Sequence, residues 1–283
     1  MADQKSIPFG ARFWRLWRPV WRFRHKANGL LFPFLLICWG GLLVAAPYMV
    51  ANRLAAAADH TAISEDIKSQ RHTLQVSQQD ERTAWDPKSL FRDSEERYLD
   101  YKIPFIDWTG FFYSLLYVFY LGFYAAQNTN RGRAESLVSA QAWVLSTFIG
   151  CLFFILLPAD IDLRWQLVDA GGLEGRYAIF YKFMHAIDKP FNAWPCLHIG
   201  TSLIFAVALT RWWFQRECNW AVYLLWPAWL GLSISVLTTK QHFIWDAITG
   251  TLLGLGVWLG VMRPAFLYLD SVPDEELPLA KLD

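Results

Sequence analysis

The chain has 283 residues, of which 54% are apolar and 17% aromatic, with 16 Trp, 21 Phe and 11 Tyr. That is too apolar and too aromatic for an ordinary soluble domain. Lys and Arg (26) nearly balance Asp and Glu (25), a total that carries no signal for a nucleic-acid partner, and none is expected.

Residues 11–26 read as a basic amphipathic helix, with Arg12, Arg15, Arg18, Arg22 and Lys26 along one side and Phe13, Trp14, Trp17, Val20 and Trp21 on the rest. Such a helix would lie on the inner leaflet, kinked at Pro19. Six apolar blocks follow, at about 30–50, 108–126, 137–157, 197–214, 220–237 and 244–267. Each approaches the ~20 residues that a helix needs to cross a bilayer. The expected fold is therefore all-α: a polytopic membrane protein of six transmembrane helices preceded by the N-terminal amphipathic helix.

Four segments are expected: a membrane-surface segment at 1–29, a first transmembrane helix and outer loop at 30–107, a membrane core at 108–267, and a tail at 268–283. The first 29 residues carry seven Lys and Arg against the single acid Asp3, which favours a cytoplasmic N-terminus. Six crossings return the C-terminus to the cytoplasm. The expected location is an inner membrane of bacterial type. The small residues at 55–58 resemble a signal-peptidase site, but the apolar run before them is too long for a signal peptide and reads as an uncleaved anchor. Residues 51–107 fit either a covering helical hairpin or a solvated linker. The outer loop at 158–196 carries Asp160, Asp162, Arg164, Arg176, Lys182, His185, Asp188 and Lys189, most of them expected to be merely solvated. The glycines of the last block, Gly250, Gly254, Gly256 and Gly260, read as a helix-packing face.

The four cysteines (38, 151, 196 and 218) show neither a disulfide framework nor zinc spacing. On the expected topology His198, His242 and Asp246 all reach the outer, periplasmic side. Ionisable groups beside hydrocarbon are costly, which points to a function. His242 and Asp246 are four residues apart, the spacing that shares a helix face. A phosphate ester resists direct attack by water, and forming a phosphoenzyme splits the problem. That chemistry needs a neutral imidazole held by a carboxylate, as His242 with Asp246 would be. It also needs a proton donor for the departing alkoxide, a role that suits His198. Cations and backbone N–H groups must hold the phosphate oxygens. Lys240 lies two residues before His242, and Pro195 suits the first turn of a helix whose free N–H groups would face the phosphate.

Pro195-Cys196-Leu197-His198 resembles the Pro-Ser-Gly-His or Pro-Ser-Leu-His motif of the type 2 phosphatidic acid phosphatase superfamily, which also includes lipid phosphotransferases. Ser235-Val236, five residues, His242, three residues, Asp246 resembles its Ser-Arg…His…Asp motif. The resemblance spans roughly residues 105–265, so the core at 108–267 is phosphatase-like. It implies a six-span fold with His242 as nucleophile, Asp246 as its partner and His198 as general acid. The wording at 192–197 and 240–242 looks like the inositolphosphorylceramide synthase-like branch. There are three departures. Cys196 stands for the motif serine, whose hydroxyl would bind phosphate, and a thiol is a weaker donor. Val236 stands for the motif arginine, so Lys240 becomes the candidate for that charge. The first motif is not clean: Lys182 and Lys189-Pro190 have its spacing but lie close to the second motif, and Arg164 is the better-placed candidate.

Each of these residues has a plainer reading. A histidine at a helix end is usually a packing or surface group, and Lys240 would serve as an interfacial anchor. Cys196 as a nucleophile would need an arginine six residues on, where Ser202 stands. The two histidines with Asp246 would also suit iron or zinc, against which the resemblance argues. His25, His60, His72 and His185 have no support for a role.

The expected activity is hydrolysis of a lipid phosphate ester, through a phosphohistidine on His242 and with no metal or cofactor. Its partners would be a phospholipid substrate and the membrane bilayer. The alternative is transfer to an alcohol acceptor, as in the inositolphosphorylceramide synthase-like branch. A more distant one is an anion-binding membrane protein or transporter without chemistry.

Overall fold

The computed structural model describes residues 6–57, 90–95, 98–159, 161, 163–188 and 190–282. The stretch 58–89, which holds most of the expected covering hairpin or linker, lies outside these, as do Asp160, Asp162 and Lys189.

Apolar composition dictates helices, because only a helix satisfies its own backbone groups where water is absent. The described residues are helical, with no β-strand among them. In chain order the helices are α1 (Arg18–Trp21), α2 (Leu31–Ala57), α3 (Leu99–Lys102), α4 (Gly110–Tyr120), α5 (Asn130–Leu156), α6 (Arg164–Asp169), α7 (Ala178–Ile187), α8 (Leu197–Gln215), α9 (Asn219–Thr238), α10 (Ile244–Val257) and α11 (Arg263–Ser271). A π-helical turn, Trp258–Met262, joins the last two into one rod.

Among the described residues, five helices are long and apolar enough to cross a membrane: Leu31–Ala55, Asn130–Leu156, Leu197–Gln215, Asn219–Thr238 and Ile244–Ser271. The block expected at 108–126 is helical but not one regular helix. It is the 11-residue α4 between 3₁₀ turns at Asp107–Thr109 and Leu121–Ala125.

The N-terminal segment departs from expectation. Instead of one amphipathic helix it forms 3₁₀ turns at Phe9–Ala11, Arg15–Trp17 and Lys26–Gly29 and the four-residue α1. Its Trp17 and Trp21 are buried in the main core with Trp143, Phe205 and Trp212. The cause is a polar anchor within α5. The Gln141 side chain accepts from Trp14 N at 2.9 Å and donates to Gly10 O at 3.1 Å, fixing the chain in a non-helical path. At this end of the bundle Glu135, fully buried, accepts from Arg211 (2.8 Å) and Trp212 Nε1 (2.9 Å), and Arg211 also reaches Asp270 at 2.6 Å. A buried carboxylate is tolerated only when paired and hydrogen-bonded in this way.

At the other end, the crossing of α8 and α10 sets the position of the motifs. A Cβ on Gly250 would lie 2.4 Å from Cys196 O, one on Gly254 2.8 Å from Gly200 O, and one on Gly200 2.9 Å from Gly250 O. Backbones approach this closely only where side chains are absent. The expected packing face is thus half right, since Gly256 and Gly260 face open space.

Candidate active site

His242 and Asp246 were expected on one helical face, yet α10 starts only at Ile244. His242 lies in the turn after α9, and Asp246, in the first turn of α10, reaches back to it. Asp246 Oδ2 accepts from Phe243 N at 2.8 Å and lies 3.5 Å from His242 Nδ1. This is the carboxylate half of a helix N-cap. The nearer partner of Nδ1 is the carbonyl of Ala193, at 3.1 Å. The Nδ1 proton therefore points at a carbonyl with a carboxylate behind it, and Nε2 faces the other way.

There it meets His198. His242 Nε2 and His198 Nδ1 are 3.3 Å apart. His198 stands in the first turn of α8, which begins at Leu197 with Cys196 as its cap, two residues later than Pro195. Its ring is stacked at a tilt 4.5 Å from that of Tyr113. Cys196 completes the group: its sulfur and one nitrogen from each of His198 and His242 all lie within 4.8 Å of one another. Cys196 and Asp246 are fully buried, and His242 nearly so. This is not the histidine–Asp246 metal set weighed from sequence.

The other two phosphate-binding candidates are occupied. Lys240 is fully buried in left-handed backbone conformation (φ 62°) after α9. Its ammonium donates to Asp100 O at 3.3 Å and to Ile103 O. Burial lowers it to about 8, against the pull of Asp100. Asp100 in turn accepts from Ile244 N at 2.7 Å, so Lys240 and Asp100 staple α3 over the α9–α10 turn. Arg164 opens α6 and donates to Asp188 O at 2.9 Å. Val236, at the motif-arginine position, is fully buried among apolar side chains.

The structure also gives partners to two residues that composition had set aside. Asp188 accepts from Tyr48 OH at 2.7 Å and Asn52 Nδ2 at 2.9 Å, both in α2. Burial raises its carboxyl above the usual range, while Tyr48, Arg164 and His242 pull the other way. His185 Nε2 lies 3.3 Å from Gln241 Nε2, next to His242 in sequence. Burial, then Arg164, lowers His185 to about 4. One sequence signal pointed here: Tyr48 and Asn52 are polar and four apart at the end of an apolar span, hence on one face. Nothing in the sequence pointed to the Ala193 carbonyl. For His242 itself, burial opposes the charged form, but Cys196 and Asp246 outweigh it and raise the ring.

A cavity of about 500 Å³ reaches this cluster at His198; Cys196, His242 and Asp246 do not line it. Asp188, Asn192 and His198 line its polar end, and Val44, Leu116 and Phe183 are among its apolar walls.

Helices of membrane-crossing length are consistent with an integral membrane protein, and two imidazoles facing each other beside a buried carboxylate form its candidate active site. The sequence profile of the PAP2 superfamily matches residues 94–260, more than half of the chain, and the chain belongs to that superfamily. Membership suggests an enzyme with phosphatase- or phosphotransferase-type activity. No curated protein and no solved structure matches the chain.

Proposed function

We propose that this chain is a membrane enzyme that cleaves a lipid phosphate ester through a phosphohistidine on His242, and that water then releases the phosphate. The observation that carries this reading is the facing imidazole pair. His242 Nε2 lies 3.3 Å from His198 Nδ1, and the opposite nitrogen of His242 is engaged by Ala193 O and Asp246. The neighbours that raise His242 favour its charged form; passing the Nε2 proton to His198 Nδ1, 3.3 Å away, keeps the other proton on Nδ1, presents the Nε2 lone pair to phosphorus and charges His198 as the acid. The N–P bond forms as the P–O bond to the lipid breaks, and His198 gives its proton to the leaving oxygen. His198 then takes a proton from water, which attacks the phosphohistidine and frees His242. Phosphorus enters by parting the two rings. Developing negative charge meets Cys196 at the cap of α8, and the backbone N–H groups of that helix's first turn supply further donors.

The cavity supports a lipid rather than a soluble ester. It is apolar along most of its wall and lies within the size range of small-molecule pockets. It also joins the site to the depth of the helices. In this reading α4 and its flanking 3₁₀ turns, roughly 30 Å end to end at the usual rises per residue, make a sixth crossing. The basic N-terminal residues stay in the cytoplasm and the site faces the periplasm of a bacterial inner membrane.

A second reading has its own support. Among the described residues, the three positions expected to supply charge to a phosphate monoester are apolar or engaged: Val236 is apolar, Lys240 is bound to carbonyls, and Arg164 donates to the Asp188 carbonyl. A phosphodiester carries less charge and suits such a site, with the phospho-headgroup passing to an alcohol acceptor, as in the inositolphosphorylceramide synthase-like branch. The test is to incubate the purified protein with a panel of labelled phospholipids, with and without alcohols. Free phosphate means hydrolysis, a new lipid means transfer, and binding without either product means a non-catalytic anion binder.

A further inference from the structure

We propose that Cys196, His198 and His242 also form a clamp for a thiophilic divalent cation of the zinc type, and that such an ion closes the phosphoryl-transfer site by occupying its nucleophile. The donor set is one sulfur and two imidazole nitrogens, all within 4.8 Å of one another. In a tetrahedral zinc site, with Zn–N about 2.0–2.1 Å and Zn–S about 2.3 Å, two ligating nitrogens lie about 3.3 Å apart. His242 Nε2 and His198 Nδ1 are 3.3 Å apart, so these two ligands already span one edge of that tetrahedron.

The surroundings fit as well. A zinc-bound histidine normally donates its other N–H to a carboxylate or a carbonyl, which fixes its tautomer. His242 Nδ1 faces both, Ala193 O at 3.1 Å and Asp246 Oδ2 at 3.5 Å. The second Asp246 oxygen, Oδ1, is buried without a hydrogen bond and adds negative charge behind the site. Cys196 N donates to Asp246 O at 3.1 Å, locking the sulfur-bearing residue to the carboxylate-bearing one. Of the three donors His198 lines the cavity, which is the side from which an ion would approach. Binding exchanges protons for the metal: Cys196–SH becomes Cys196–S⁻–M²⁺ with its proton released to solvent, and a charged His242 releases its Nε2 proton as well. One thiolate with two imidazoles selects zinc or cobalt over magnesium or calcium. A serine at position 196 would not, so the trait follows from the cysteine in this motif.

Inhibition rests on the phosphoryl-transfer reading; binding of the ion does not. The test is titration of the reduced, chelator-stripped full chain in detergent with Co²⁺. The expected result is one Co²⁺ per chain, with a thiolate-to-cobalt charge-transfer band and tetrahedral d–d absorption, both displaced by Zn²⁺. Cys196→Ser should lose the charge-transfer band. A variant with Cys38, Cys151 and Cys218 all changed to Ser should keep it. X-ray absorption fine structure of the zinc-loaded wild type needs no variant and should show one sulfur at about 2.3 Å. Absence of a sulfur shell, a band that survives Cys196→Ser, or a band lost in the triple variant would overturn the proposal. If the ion binds as described but the protein turns over no phospholipid, the metal site stands and the phosphoryl-transfer reading fails. In an active preparation, Zn²⁺ should stop turnover and a chelator should restore it.

Discussion

The backbone N–H of Cys196 donates to the backbone carbonyl of Asp246 at 3.1 Å, joining the two motifs main chain to main chain, fifty residues apart in sequence. The distance between His198 and His242 therefore depends on how closely α8 and α10 cross. A β-carbon on Gly250 would lie 2.4 Å from Cys196 O, so Gly250→Leu should push the helices apart. The expected cost is about 1–3 kcal/mol of stability, as for overpacking elsewhere, together with loss of turnover. Gly256→Leu, which faces open space, should change neither. Thermal unfolding in detergent beside a turnover assay checks both.

The two imidazoles should differ in how they fail. His198→Ala removes the proton donor and should slow turnover by about 10²–10⁴-fold. A substrate with a nitrophenol leaving group needs no such proton and should restore a fast first burst of nitrophenol release, while steady turnover, which needs His198 as base in the second step, stays slow. The same substrate should not rescue His242→Ala. Equal rescue of both variants would contradict the assigned roles.

Motif spacing was legible because it is local. Pro195 to His198 is four consecutive residues at the start of α8, Ser235 to Asp246 runs from the end of α9 through one turn into α10, and apolar block length pointed to the helices. What bears on those motifs from a distance was not legible. The Ala193 carbonyl that holds His242 Nδ1 and the α2 side chains that hold Asp188 are tertiary contacts. Lys240 read as a phosphate ligand because of its place in sequence. Its left-handed backbone and the carbonyls of Asp100 and Ile103 give it another partner. The amphipathic pattern at 11–26 was real, but the buried Gln141 outcompeted helix formation there. The i,i+4 spacing of His242 and Asp246 led to the right pair for the wrong reason, an N-cap rather than a helix face.

The buried Glu135 offers a control at the far end of the bundle. Glu135→Ala leaves Arg211 and Trp212 Nε1 without their buried acceptor. Arg211 keeps Asp270 as a partner, so the main loss is the acceptor of the buried Trp212 Nε1, which costs about 1–3 kcal/mol. The melting temperature should drop, while turnover at a temperature where the variant stays folded should match wild type. Loss of turnover in the folded variant would show coupling between the two ends.

His185 sets a pH dependence of stability. Its folded pKa, about 4, lies below its ordinary 6.5. Between these values the unfolded chain binds more protons, so stability rises with pH from about 4 to 6.5 and is lost as pH falls through that window. Protonation would also set a second donor against Gln241 Nε2. His185→Gln should flatten this part of the stability profile, as read by denaturation midpoints across the window. An unchanged slope would contradict the assignment.

The most direct test is to trap the intermediate. The protein is mixed with a phospholipid ³²P-labelled in the ester phosphate, quenched in alkali and digested. The account predicts an acid-labile, alkali-stable label on the peptide containing His242, present in wild type and absent in His242→Ala. Turnover of the lipid with no label on that peptide, or with label on Cys196 instead, would contradict it.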